Sequence, residues 1–186
     1  MRKAFVLILL AVASFACEEE DRSASGEDTA SGGGVAALSG VEAANERASE
    51  WSEDAELYAV ATATPSLDAE GNSPVWLYTY VSESAGAVAT FPVEDGEAGM
   101  DPEQELPEPD IDFLSENALP PADELIDSSE AVDETEEVGV VLEENPGAEV
   151  SVGLDSVSGG EPVWIFSTIR GEERVDERVP ALAEGG

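Results

Sequence analysis

Histidine is absent from this 186-residue sequence, and cysteine occurs once. Without histidine the chain cannot build a Ser-His-Asp or Cys-His catalytic centre, or a histidine-ligated metal site. A single cysteine also excludes an internal disulfide. Glycine-rich phosphate loops and the Gly-x-Ser-x-Gly elbow of hydrolases are missing as well. These absences exclude several common classes of enzyme and metalloprotein.

Basic residues are scarce: seven lysines and arginines stand against 43 aspartates and glutamates, and the formal net charge is −36. Such a field repels nucleic acid and anionic membrane surfaces, so neither is an expected partner. A charge this large is typical of disordered chains. The 42% of hydrophobic residues instead favours an acidic folded domain with disordered flanks. The acidic excess is also typical of adaptation to high salt, which we keep as a hypothesis.

The first 16 residues have the three parts of a secretory signal peptide. Two basic residues, Arg2 and Lys3, precede an apolar run from Ala4 to Ala13, and small residues then flank Phe15. The run is shorter than the roughly 20 apolar residues that cross a bilayer as a helix. We therefore predict that residues 1–16 are an export signal that is cleaved.

Cys17 follows the predicted cleavage site directly. This arrangement resembles the bacterial lipoprotein signal, although Ser14 stands where a leucine is usual. The resemblance implies that Cys17 carries a diacylglyceryl group, and two acyl chains anchor a protein stably to a membrane. It also implies a place in the cell envelope, on the extracytoplasmic side of the inner or outer membrane. The alternative is an ordinary signal peptide that leaves Cys17 as a free thiol.

Residues 17–34 begin with this cysteine and continue as an acidic, serine- and glycine-rich stretch. Like charges extend such a chain, and glycine and serine keep it flexible. We predict a disordered tether between the anchor and the folded part.

Two stretches repeat each other at an offset of 88 residues: Pro74 to Tyr80 reads PVWLYTY, and Pro162 to Thr168 reads PVWIFST. Matching residues at a constant offset indicate a duplicated structural unit. Apolar residues on both faces of each stretch predict a strand in the middle of a sheet that is covered on both sides. Trp76 and Trp164 are accordingly predicted to be core residues. The alternative is that they line a ligand groove.

The same offset relates the predicted helix starts. Ser39 with Glu42 forms a capping-box pattern, and Asp127 with Glu130 occupies the matching positions. Each unit then reads as one helix followed by three strands. We predict an α+β fold in which two such repeats form antiparallel sheet with the helices packed on one face. The repeats span residues 35–96 and 122–183.

A unit of this size buries too little surface to be stable on its own, so one shared core is favoured over two separate small domains. Between the units, residues 97–121 are acidic and rich in proline, which predicts a mostly extended linker. Its acidic residues lack the spacing of a calcium loop, and we predict neither a metal site nor a cofactor. A short apolar patch in this segment is expected to pack on the second unit. The patch consists of Ile111, Phe113, Leu114 and Leu119.

The order of helix and strands around a buried aromatic residue resembles the PepSY-type α+β unit of exported bacterial proteins. The local likeness is the stretch Ile126 to Ala131, IDSSEA, which is similar to the Asp-Ser-x-x-Ala helix opening of that family. The strand that carries Trp164 follows. The resemblance implies a non-enzymatic role in binding a partner or regulating a peptidase.

Arg170, Arg174 and Arg178 form a stripe of positive charge near the C-terminus of an acidic chain. Their even spacing would place all three on one face of an edge strand. The stripe is a candidate partner-binding edge, or it offsets the acidic residues beside it.

The sequence therefore favours a membrane-anchored, non-catalytic lipoprotein that binds a protein or peptide partner. A second hypothesis is a structural envelope protein whose acidic surface is itself the useful property. An enzyme is the third, because abundant carboxylates by themselves do not indicate an active site.

Overall fold

The structure is a computed structural model that describes residues 34–156, 160–171 and 173–183. The predicted signal peptide, the predicted lipidation site Cys17 and all of the predicted tether except Gly34 lie outside these residues.

The described chain contains four α-helices and ten β-strands. One strand precedes the first helix and six strands follow it; the other three helices come next, and the last three strands end the described chain. The helices are α1 (Val41–Trp51), α2 (Glu108–Glu116), α3 (Ser128–Asp133) and α4 (Glu137–Glu144). The long strands are β2 (Glu56–Thr62), β4 (Val75–Ser82), β5 (Ala87–Glu94), β8 (Val150–Ser156), β9 (Pro162–Arg170) and β10 (Glu173–Pro180). The short strands are β1 (Val35–Ala36), β3 (Asn72–Ser73), β6 (Glu97–Ala98) and β7 (Gln104–Glu105).

The six long strands lie in one antiparallel sheet in the order β10, β9, β8, β2, β4, β5, with β6 and β7 against β5. The first half supplies β2, β4 and β5, and the second half supplies β8, β9 and β10. The two sets meet where β2 pairs with β8 through residues 59–61 and 153–155. The predicted α+β fold with antiparallel sheet is confirmed, and the two halves share one sheet rather than forming separate domains.

The main core lies between one face of this sheet and three helices. Residues along most of β4 and β9 alternate between buried and partly exposed, so one face is fully covered and the second only in part, whereas cover on both sides was predicted. The α1, α3 and α4 helices bury small and branched apolar residues on this face, among them Ala44, Ala131 and Leu142. Both halves therefore contribute helices to the same face of the sheet.

The tryptophans at the repeated positions occupy matching places in this core. Trp76 and Trp164 are both 0% exposed, and their rings meet edge to face with centroids 6.4 Å apart. Each indole N–H donates to a backbone carbonyl just before the first helix of its own half: Trp76 to Val35 at 2.7 Å, and Trp164 to Ile126 at 3.1 Å. Burial of the ring is thus combined with a satisfied polar atom.

Residues 97–121 are not the extended linker that their composition predicts. They contain β6, β7 and the nine-residue α2 helix, which begins with a proline in its first turn. The α2 helix lies on the sheet face opposite α1, because it packs on Val81, whereas the neighbouring Tyr80 points into the main core. An acidic first turn and a proline at its start stabilise this helix even in an acidic, proline-rich segment.

The apolar patch in this segment packs on the first half of the chain, and the expectation that it packs on the second half is wrong. Ile111 and Leu114 contact Val81 of β4. Leu119 joins the main core, and its N–H donates to the carbonyl of Leu57 in β2. Phe113 stays 46% exposed.

The two predicted helix starts have different outcomes. Asp127 is the N-cap of α3, as predicted, but its carboxylate accepts the N–H of the adjacent Ser128 at 2.7 Å, while the Glu130 N–H donates to the Asp127 backbone carbonyl, so the bond of a capping box is not made. Ser39 is not a cap, because it lies inside a 3-10 turn that runs directly into α1. The first N–H groups of that turn are instead bound by the second half: Ala37 donates to the Ser128 hydroxyl and Leu38 to the Asp127 carboxylate, each at 2.9 Å.

Candidate functional site

The hairpin formed by β9 and β10 carries most of the positive charge of the described chain. The residues that the structure describes include four arginines, and three of them lie on this hairpin: Arg170, Arg174 and Arg178. The hairpin also exposes Ile169, an isoleucine with 70% of its surface accessible. Three arginines beside an exposed isoleucine, among acidic residues of the same hairpin, distinguish this part of the surface from the rest of an acidic protein.

The three arginines do not share one face of one strand, as their spacing predicted. Arg170 ends β9, and the chain then turns through Gly171, which has a positive φ of 69°. Arg170 pairs with Glu173, while Arg174 pairs with Ile169, so Arg170 lies on the helix-covered face and the other two on the opposite face. Residues an even number of positions apart share a face only within one strand, and the turn places Arg170 on a different strand from Arg174 and Arg178.

Arg174 is held by its neighbours on the open face of the hairpin. Its Nε donates to the Asp176 carboxylate at 2.8 Å, and its guanidinium also donates to the Ser167 hydroxyl at 3.2 Å. The hydroxyl of Ser167 and then Arg174 hold the pKa of Asp176 below its usual range. The Arg174 side chain nevertheless remains 70% exposed. It is therefore oriented but still accessible to a partner.

Arg178 stands further along β10, exposed to solvent. Among the residues that the structure describes, no ion pair or hydrogen bond to its side chain is found. Its nearest charge effect is on Asp155 of β8, whose pKa burial raises and Arg178 partly lowers. The Arg178 side chain is thus accessible to a partner.

Two open grooves flank the tip of the hairpin. One, of about 500 Å³, runs between the end of α4 and Arg170, with Ile169 and Val141 in its wall. The other, of about 300 Å³, lies on the opposite side, between Pro65, Glu149 and Arg174. Ile169 lines both grooves, so a partner that covers this side chain would contact both faces of the tip.

Asp155 is a carboxylate on the open sheet face, where it pairs with Ala59 on one side and Val163 on the other. Its Oδ1 atom is buried and has no hydrogen-bond partner within the described residues. Burial raises its pKa, with Arg178 acting in the opposite direction. An orphaned carboxylate oxygen of this kind costs stability, and the sequence pattern gave no sign of it.

Three serines and a carboxylate form a cluster at the β4 to β5 turn, which the sequence analysis missed. Asp54 accepts hydrogen bonds from the hydroxyls of Ser82, Ser52 and Ser84 at 2.6 to 2.7 Å and from the Ser84 N–H at 2.8 Å. The Ser82, Ser52 and Ser84 hydroxyls hold the pKa of Asp54 far below its usual range. Through these hydrogen bonds Asp54 fastens the turn to the end of α1.

The described residues contain no group of three or more acidic or cysteine side chains arranged to hold a metal ion. In the same part of the chain, no helix combines the length and the hydrophobicity needed to cross a membrane. No protein-family model matches the chain, and no curated protein or solved structure is significantly similar to it. The candidate site is accordingly defined by the geometry of the β9 to β10 hairpin.

Proposed function

We propose that this protein is a lipid-anchored lipoprotein of the cell envelope whose α+β domain binds a protein or peptide partner on the extracytoplasmic side. The observation that carries the binding proposal is the β9 to β10 hairpin. It presents Ile169, Arg170, Arg174 and Arg178 on an edge of the sheet, in a protein of formal net charge −36. Exposed apolar and arginine side chains together are typical of the anchors of protein interfaces.

The proposal includes no catalysis, and a peptidase-regulating role is its most specific form. In the cluster that combines serine hydroxyls with a carboxylate, Asp54 is a weak base, because its hydrogen bonds stabilise the ionised form and lower its pKa. The lipid anchor rests on the lipoprotein-like signal before Cys17.

A pull-down from detergent-solubilised envelopes of the source organism tests the binding proposal. The wild-type domain should retain one partner in stoichiometric amount, and Arg174→Glu with Arg178→Glu should abolish its retention. Arg47→Glu is the matched control, because Arg47 is an exposed arginine of α1 that pairs with Glu50 and lies outside the hairpin. Equal retention by all three proteins would refute a role for the hairpin.

Membrane anchoring is tested separately by Cys17→Ser. The variant should leave the membrane fraction and appear in the soluble extracytoplasmic fraction, since two acyl chains supply the stable attachment. A variant that stays with the membrane after a high-salt wash would contradict the lipidation of Cys17.

A second candidate function is a structural envelope protein with no specific ligand. It is favoured by the acidic excess, which gives the surface a strongly hydrating character. In that case the pull-down would retain nothing in stoichiometric amount with wild type or with either variant.

A further inference from the structure

Strand β10, from Glu173 to Pro180, is the edge of the sheet, and no described strand pairs with its outer side. Its backbone groups alternate between β9 and this free edge. Ala181 donates its N–H to the carbonyl of Pro162 in β9, so the odd-numbered residues of β10 bond to β9. The even-numbered residues, Arg174, Asp176 and Arg178, direct their N–H and C=O groups outward. Pro180, which has no N–H, falls at an outward position where none is needed by β9.

The sequence of β10 is complementary to a second copy of itself that runs antiparallel, because its acidic and basic residues then face each other. Read about Glu177, the stretch 175–179 is Val-Asp-Glu-Arg-Val. In an antiparallel pair of two copies centred on Glu177, each Asp176 stands opposite the Arg178 of the other copy, and each Val175 opposite a Val179. A patch that complements itself about a central point is what a two-fold symmetric interface requires.

We propose that two copies of this chain pair antiparallel along β10 and join their sheets into one. In this register the outward backbone groups of Asp176 and Arg178 face those of Arg178 and Asp176 in the second copy and can form a regular ladder. The Arg178 side chains gain the carboxylate partners that they lack in the described part of one copy. The proposal names a second copy as one partner of the hairpin, so it rests on the binding function proposed above.

The two Glu177 residues lie opposite each other at the centre of the pairing, but they repel each other less than two free carboxylates would. The Glu177 carboxylate accepts the N–H groups of Glu136, Glu137 and Val138, at 3.0, 2.9 and 2.7 Å, and so caps the start of α4 in its own copy. Those N–H groups and the helix dipole offset its negative charge. Each Glu177 is therefore turned to its own helix, away from the symmetry axis.

The helix layer also leaves room for the second copy. The α4 helix packs over both β9 and β10. A helix centred over that pair lies about 4.8 Å from the axis, one strand spacing, so the two α4 helices would be about 10 Å apart, a normal packing distance. At the far end, the pairing stops where Leu125 bridges Leu182 beside the end of β10.

Charge sets the conditions under which the pair forms. Each chain has a formal net charge of −36, so two copies repel each other at long range. That repulsion is screened within about 3 Å at 1 M salt but only within about 10 Å at 0.1 M. Dimerisation should therefore strengthen as salt rises, opposite to what an interface held only by surface ion pairs would show.

Sedimentation equilibrium of the purified domain at about 0.1 M and 1 M salt tests the proposal. Wild type should dimerise at the higher salt. Asp176→Arg and Arg178→Asp, each alone, should weaken the dimer about thirtyfold, because symmetry places two like-charge pairs in the interface. The double variant carrying both changes should restore it. An equimolar mixture of the two single variants should form a heterodimer, since every cross pair is then of opposite charge.

Circular dichroism of each variant controls for loss of the fold, which exposed charge changes should not cause. A wild type that stays monomeric at about 1 mM and 1 M salt overturns the proposal. So does a dimer that the single changes leave intact or that the double change fails to restore. If the purified domain is monomeric but the envelope pull-down retains a different protein through Arg174 and Arg178, self-pairing fails and the proposed function stands.

Discussion

The Ser128→Ala variant tests the contact by which the second half of the chain holds the start of the first. The Ser128 side chain is 0% exposed. Its hydroxyl donates to the Gly71 carbonyl at 2.7 Å and accepts the Ala37 N–H at 2.9 Å. Both partners are buried backbone groups of the first half. One oxygen atom thus satisfies two groups that water does not reach.

Alanine at this position removes the hydroxyl and leaves both backbone groups without that partner. An unsatisfied buried polar group costs about 1–3 kcal/mol, and the space vacated by one oxygen is too small to admit a water molecule. We therefore expect the free energy of unfolding to fall by about 3 kcal/mol, a large part of the roughly 5–15 kcal/mol that holds a typical domain.

Urea unfolding, followed by tryptophan fluorescence, measures this loss as a lower midpoint at an unchanged slope. Ser39→Ala is the matched control. The sequence predicts Ser39 as a helix cap worth about 1 kcal/mol, whereas in the structure it is exposed and makes no capping bond, so its removal should cost less than about 0.5 kcal/mol. A Ser128→Ala variant as stable as wild type, or a Ser39→Ala variant that loses more than it, would refute the reasoning.

Three further predictions concern single positions. Gly40→Ala should destabilise the domain by about 2 kcal/mol or more, because its Cβ would stand 2.3 Å from the buried Tyr78 hydroxyl; Gly153→Ala, with no atom closer than 3.7 Å, is the control in thermal unfolding. Glu177→Gln should cost about 1 kcal/mol at neutral pH, against no change for the exposed Glu173→Gln on the same strand. Burial raises the pKa of Glu177, but the N–H groups of Glu137, Val138 and Glu136 outweigh it and leave the pKa below 4.5. Its stabilisation is therefore present above that pH, and urea midpoints should converge as pH falls through the lowered pKa. Asp155→Asn should instead stabilise the domain by about 0.5 kcal/mol at neutral pH, since burial raises the pKa of Asp155 and its ionised form is disfavoured in the fold. This gain should vanish as pH falls through the raised pKa, and a gain that persists in acid would contradict the assignment.

Much of the fold could be predicted because strand alternation and a repeated aromatic residue are local signals. The pattern around Trp76 and Trp164 indicated strands paired on both sides, and both indoles are buried on such interior strands, β4 and β9, of one sheet. The Asp127 cap was likewise visible, because an aspartate before a short helix acts on the next few N–H groups.

Long-range contacts explain what the sequence could not indicate. The Ser39 pattern failed because the second half supplies the groups that bind the preceding turn, from residues 89 and 91 positions away. The α2 helix was hidden by its acidic, proline-rich composition, although the spacing of Ile111 and Leu114 and a proline in the first turn were usable signals. The face on which Arg170 lies depends on the turn between β9 and β10, which the alternation of side chains along a single strand cannot predict.

The contacts between the halves are few in the sheet and concentrated elsewhere. The β2 to β8 pairing joins three residue pairs, fewer than the β2 to β4 and β8 to β9 pairings on either side of it. The halves are also held by the edge-to-face tryptophans and by Gly71, which has a positive φ and is so close to α3 that a Cβ atom would lie 2.5 Å from the Ser129 Cα. Because each half of this size is marginal alone, and because its buried indole packs on the other, loss of either half should expose the core of the remaining one. The two halves therefore form one unit of folding.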